Sequence, residues 1–394
     1  MTKDNFHEII ALALSFLILN NYLFLSLNFS QLLIKINFLF FFAIIFIFYF
    51  KNFSENPFLK IFFLFIIFIC LGIPISEWDP RTIWFFHAKR IFYDQSIFSV
   101  ADNYAAHSHN DYPTLAPAFA SSLAVLVGYW NEVFPKLSFT LMFLPPLTLI
   151  YVFLKDTRYL IYLSIVFFII GKFLFNGWVD GLVAIYFGTS AFLMYFLIIA
   201  DNSFYKKKLF LFLIAFCFFV SLTLIKNEGT ALLFTLFVTT FLIKLYKREL
   251  RKDISKLIFL SISFIPIILW NLFCYSKGIG NDYVNTNILL NLLPRLDDLN
   301  NYKLISYFLF LNEKFLIALI FFIVSFWVHP NKELFSFVTI ITTMYIFILF
   351  FIYLSTPFDF YWQLDSSAAR VIRSLSFLLA FFGLYNLKNY KIIY

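Results

Sequence analysis

The chain has 394 residues, 62% of them in the apolar AVILMFWYC set and only 13% charged, with a net charge of +8. Globular chains are roughly 45–50% apolar and about 25% charged, and here the mean hydropathy is +0.86. This excludes a soluble enzyme, a disordered protein and a nucleic-acid binder, and leaves an all-α polytopic membrane protein in one integral membrane domain, 1–394.

A bilayer-crossing helix needs about 20 mostly apolar residues. In chain order the apolar runs are 9–29, 36–50, 61–76, 114–129, 137–154, 159–175, 182–199, 209–225, 230–246, 257–273, 315–328, 334–354 and 371–386. The run from Ile9 exceeds a signal-peptide core and lacks a small-residue cleavage site, so it reads as a retained first helix. Lysine and arginine set the orientation. Lys155, Arg158, Lys206, Lys207, Lys208, the group Lys244, Lys247, Arg248, Arg251, Lys252 and Lys256, and finally Lys388 and Lys391 mark one face as cytoplasmic. The net positive charge is this bias rather than a nucleic-acid footprint. Both termini then fall inside. The segments 77–113, 274–314 and 355–370, with the turns near 176–181 and Lys226, fall outside. Thirteen full crossings cannot leave both termini on one side; either 114–129 is re-entrant or interfacial, leaving about twelve spans, or another short run does not cross. The chain thus divides into leading helices 1–76, a first outer loop 77–113, core helices 114–273, an outer segment 274–314 and C-terminal helices 315–394. Cys70, Cys217 and Cys274 lie far apart and form neither a disulfide framework nor a metal knuckle.

Polar residues that carry chemistry gather on the outer face. The first outer loop opens with Glu77 and Asp79. From Thr82 it is amphipathic, with Trp84, Phe85, Ile91 and Phe92 set against Lys89 and Arg90, as in a helix lying in the interface. It closes on His107, His109, Asp111, Tyr112 and Pro113. Asp180 follows Gly177-Trp178-Val179 between two apolar runs, either capping the next helix or serving a site. Lys226-Asn227-Glu228-Gly229 makes a tight helical hairpin, with Lys226 paired to Glu228 or facing an anionic headgroup. Arg370 and Arg373 run against the positive-inside bias. An ion pair with Asp359 or Asp365 explains them, and so does a phosphate, which guanidinium binds bidentately. Glu77, Asp79, His107, His109 and Asp111 include candidate ligands for a divalent cation, Mg²⁺ or Mn²⁺ on carboxylates and Zn²⁺ on imidazoles, with Asp79, His107 and His109 foremost; the competing and favoured reading is that the His-rich exit is loop structure.

In this order the motifs resemble those of bacterial GT-C-fold glycosyltransferases of the protein-mannosyltransferase-like, polyprenyl-phosphate-sugar-dependent kind. The resemblance rests on Trp78-Asp79, Ala88-Lys89, the loop exit from His109 to Pro113, the turn Gly177 to Asp180, Lys226 to Gly229, and the late pattern Thr356 to Arg370 with Trp362 and Ser367 in place. Gln363 stands where the pattern has His, and Ala369 where an acidic residue often precedes the arginine. The resemblance implies a GT-C-like helical bundle, and the charge bias places it in the plasma (inner) membrane with its site facing the periplasm or exterior. It implies transfer of one sugar from a polyprenyl-phosphate carrier to a glycan, lipid or protein acceptor. Asp79 would be the general base or a metal-coordinating group, with Glu77 its nearest rival, and Asp180 a second acceptor-side carboxylate or the group that orients Lys226. Lys226, Arg370, Lys89 and Arg373 would face the donor phosphate. His109, Asp111, Tyr112, Glu228 and Trp362 would serve the loop and the acceptor.

Two other readings compete. A lipid-linked oligosaccharide polymerase or ligase would share the outer-face cations and carboxylates but use a diphosphate-linked donor. A transporter or flippase would spread ionisable residues through the membrane midplane, whereas here the apolar runs carry few charges, Lys172 being an exception.

Overall fold

A computed structural model of the protein describes residues 5–51, 57–154, 157–200, 209–281 and 288–388. Among these residues the regular structure is helical, with no strand. The helices are α1 (Asn5–Ser26), α2 (Gln31–Lys51), α3 (Pro57–Gly72), α4 (Phe85–Asp94), α5 (Leu115–Val127) and α6 (Phe134–Leu141). Next come α7 (Leu144–Phe153), α8 (Thr157–Ile170), α9 (Asp180–Met194), α10 (Leu209–Ile225), α11 (Asn227–Tyr246) and α12 (Leu250–Ser261). Last are α13 (Ile265–Ser276), α14 (Ile288–Leu296), α15 (Leu299–Phe310), α16 (Glu313–Val328), α17 (Lys332–Leu354) and α18 (Phe360–Lys388).

Among the described residues, eight helices are long and apolar enough to cross a membrane; α15 and α16, bent by 73°, would make nine if they act as one span. The protein is therefore a polytopic helical membrane protein. α5 has 13 residues, about 20 Å at 1.5 Å per residue, well short of a hydrocarbon core of roughly 30 Å. Its residues from Leu115 to Val125 are buried inside the protein.

α9 is the hub. It is apolar all round, and every residue from Asp180 to Ile199 is buried, as expected of a helix with no polar face. α18, α10 and α11 pack around it, and α16 and α8 pack against α18. At the N-terminal side, α1 packs on α7, α2, α10 and α5.

Two segments differ from the sequence reading. The run 355–370 is not all loop, because α18 already begins at Phe360. The Asp359 carboxylate accepts the Trp362 N–H at 2.8 Å and so satisfies one of the free donors of its first turn. Within 77–113, α4 does form, but its apolar side is turned into the protein: Trp84, Phe85 and Ile91 are buried and α4 packs on α5. Among the orientation residues, Lys155, Lys206, Lys207, Lys208 and Lys391 lie outside the described residues, as does the side chain of Lys388.

Lys226 and Lys244 stand at opposite ends of α11, about 27 Å apart along its axis. At the Lys244 end the amino group meets Glu249 at 2.9 Å and Asp253 at 3.1 Å, and Lys247 meets Glu333 at 3.0 Å. The candidate site lies at the other end.

Candidate active site

Three local features bring the site together. The turn into α9 needs Gly177, at φ +87°, where a Cβ would also press on the Phe85 ring. That turn therefore sits directly on the first loop. The hairpin between α10 and α11 needs Gly229, because a Cβ there would overlap the Leu222 carbonyl. The helices approach closely enough to place Lys226 beside the first turn of α9. Finally, early α18 carries Gln363, Ser366, Ser367 and Arg370 at i, i+3, i+4 and i+7, on one face.

These elements enclose a cavity of about 600 Å³, a size suited to a small-molecule group. Its wall includes Asp79, His107, His109, Tyr112, Lys226, Trp362 and Arg370 from the sequence reading. Two ion pairs dominate it. Arg370 donates to Asp79 Oδ2 at 2.5 Å, both side chains about a fifth exposed, and its guanidinium stacks 4.6 Å from the centre of the Trp178 ring. Lys226 donates to Asp180 Oδ1 at 2.7 Å and lies 3.5 Å from Glu228 Oε2. Burial alone would lower the Lys226 pKa, but the Asp180 and Glu228 carboxylates outweigh it and hold the amine charged. Glu228 in turn accepts from the Tyr345 hydroxyl at 3.1 Å. Asp180 is the first residue of α9 and not its N-cap, which is Val179, and the partner of Arg370 is Asp79, not Asp359 or Asp365.

The loop over the cavity is held by its own contacts. Arg90 forks onto Asp102 with bonds of 3.1 and 2.6 Å. Burial pushes the Asp102 carboxyl up, but the Arg90 bonds and the Tyr104 N–H bring it below its usual range. His87 is buried and bonds through Nε2 to the Asn110 Oδ1 at 3.0 Å. Burial pushes its pKa down to about 4. His109, at φ +51°, stacks on Tyr112 with ring centroids 4.7 Å apart.

Six sequence candidates are not part of the cavity wall; two of them, Asp180 and Glu228, sit behind it on Lys226. Glu77 pairs with Lys172 at 2.5 Å, Lys89 is exposed, and Arg373 lies over the Phe173 ring. Asp111 accepts from Asn227 at 3.1 Å and Asn281 at 2.9 Å, while its carbonyl accepts from Trp270. Asp111 lines a second, largely apolar groove of about 790 Å³ between α11 and α13. Asn281 lines both spaces, so the groove meets the charged cavity there. The sequence reading did not single out Trp178, Asn281, Gln363 or Ser366 as site residues. The only signals were an aromatic beside a turn glycine, the polar turn Gly278 to Asn281, and a polar stripe at helical spacing.

Among the described residues, no three His, Cys, Asp or Glu side chains gather as a metal-holding group. Asp79, His107 and His109 share the cavity wall without forming one. Cys70, Cys217 and Cys274 are buried free thiols. No family model, curated protein or solved structure matches the chain.

Proposed function

We propose that the protein is a GT-C-like glycosyltransferase that moves a monosaccharide from a polyprenyl-phosphate carrier to a glycan, lipid or protein acceptor. It works in the plasma membrane, its cavity facing the periplasm or exterior and both termini in the cytoplasm. The observation that carries this reading is the Asp79–Arg370 pair. A carboxylate and a permanently charged phosphate-binding group hold each other in one cavity, and that cavity opens beside an apolar groove fit for a lipid chain.

The pairing supplies a sequence of events. A donor phosphate competes for Arg370, with Lys226 behind it as a second cation, and so frees the Asp79 carboxylate. An acceptor hydroxyl then attacks the anomeric carbon and passes its proton to Asp79. The new C–O bond forms as the bond from the anomeric carbon to the phosphate oxygen breaks, its electron pair staying on the phosphate. Arg370 and Lys226 stabilise that developing charge. One carboxylate role and direct displacement give inversion at the anomeric centre. Asp180 is a positioning residue, holding Lys226 charged and in place.

Transfer of label from radiolabelled polyprenyl-phosphate monosaccharides in reconstituted membranes tests the reading, with and without chelator. Wild type should transfer label with inverted anomeric configuration. No transfer from any of several donor sugars to a crude acceptor extract, or a retained anomer, would contradict it.

A further inference from the structure

Outside the cavity, two cations flank the short turn Gly171–Leu174 that ends α8. Arg373 lies with its guanidinium 3.8 Å from the centre of the Phe173 ring. Lys314, at the start of α16, donates to the Ile169 carbonyl at 3.1 Å, and its amine sits 5.9 Å from the centre of the Phe168 ring. The neighbouring cations Lys172 and Arg370 have carboxylate partners. Arg373 and Lys314 have none within ion-pair distance among the described residues, and the buried Arg373 Nε has no acceptor. Asp180, which faces this region from α9, is engaged by Lys226. An ammonium with donors to spare and a guanidinium with no acceptor, both partly withdrawn from water, carry an unmet need for an anion.

The surroundings identify its kind. Arg373 is three residues beyond Arg370 along α18, about 4.5 Å further into the span. Below the two cations the surface is apolar and exposed: Phe167 and Phe168 on α8, and Ile317 one turn after Lys314 on the same face of α16. A phosphate at the cations would carry chains down that face. We propose that Arg373 and Lys314 bind the phosphodiester of an anionic membrane phospholipid, its acyl chains lying along Phe168 and Ile317. Arg373 supplies the planar fork and Lys314 the point charge. This site is separate from sugar transfer and does not depend on it.

Native mass spectrometry of the purified protein tests this, by counting phosphatidylglycerol and phosphatidylcholine retained as detergent is stripped, with and without excess inorganic phosphate. Wild type should retain phosphatidylglycerol in preference to phosphatidylcholine, and inorganic phosphate should not displace it. Lys314→Gln and Arg373→Gln should each weaken retention about tenfold, as expected for one charge-assisted bond, and Arg373→Lys should weaken it less. If Arg373→Gln fails to fold, Lys314→Gln alone decides. Unchanged retention in Lys314→Gln, or no preference between the two lipids, would overturn the proposal. Full displacement by inorganic phosphate would overturn it as well, replacing the lipid with a soluble anion.

Discussion

Asp180 and Lys226 hold opposite charges 2.7 Å apart, with 2% and 13% of their side chains exposed. Removing Asp180 leaves the buried Lys226 amine with only the longer contact to Glu228 at 3.5 Å. Asp180→Asn should therefore cost about 3–5 kcal/mol. The double variant Asp180→Asn/Lys226→Met should cost less than the sum of the singles, by at least ~1 kcal/mol. Thermal melts in detergent read both; strictly additive losses would mean that the pair contributes no coupling. His87 carries a pH dependence of its own. Its folded pKa of about 4 lies below its ordinary 6.5, so between those values the unfolded chain binds the extra proton. Stability is fully present above pH 6.5 and is lost as pH falls toward 4, by about 3 kcal/mol in all. His87→Gln should flatten that slope in a melt series from pH 7.5 to 4; equal slopes would contradict the assignment. Neither effect was legible in the residues alone. A buried Asp and a buried His look the same in sequence as surface ones, and Asp180 read equally well as a helix cap.

The α10–α11 hairpin shows what single elements decide. Gly229 is needed because the Leu222 carbonyl occupies the space of a Cβ. Gly229→Ala should destabilise the protein by about 1–3 kcal/mol through overpacking, and should weaken donor use because Lys226 rides on the displaced turn. A melt with donor titration measures both, and an unshifted melting temperature would refute the close approach. The hairpin itself was readable, since Lys226 to Gly229 interrupts an otherwise apolar stretch. The start of α18 was not. Gln363, Asp365, Ser366 and Ser367 lower the apolar content enough to read as loop, although the Asp359 cap and the spacing of Gln363, Ser367 and Arg370 fit a helix with one polar face toward the cavity. α4 failed in the opposite sense. Its aromatic side matched an interfacial helix, but α5 covers it.

Across the whole molecule, composition alone made the membrane class legible, because so few charges cannot cover a water-facing surface. The meeting of Asp79 with Arg370 could not be read, since 291 residues separate them and packing around α9 brings them together. The two ends of α11 carry the sidedness of the account, Lys226 at the cavity and Lys244 at an ion-pair cluster. Membrane-impermeant thiol labelling of intact cells checks it. Ser366→Cys, in the cavity wall, should label from outside, and Lys252→Cys only after permeabilisation; the reverse pattern would invert the proposed orientation.

Asp79→Asn and Arg370→Ala separate donor binding from turnover, measured as donor affinity beside the rate of sugar transfer. If a donor phosphate releases Asp79 by taking Arg370, then Asp79→Asn should bind polyprenyl-phosphate sugar at least as tightly as wild type while transfer falls by about 10²–10⁴, the usual contribution of a general base. Arg370→Ala should bind donor more weakly. Near-normal transfer by Asp79→Asn, or donor binding untouched in Arg370→Ala, would contradict the account.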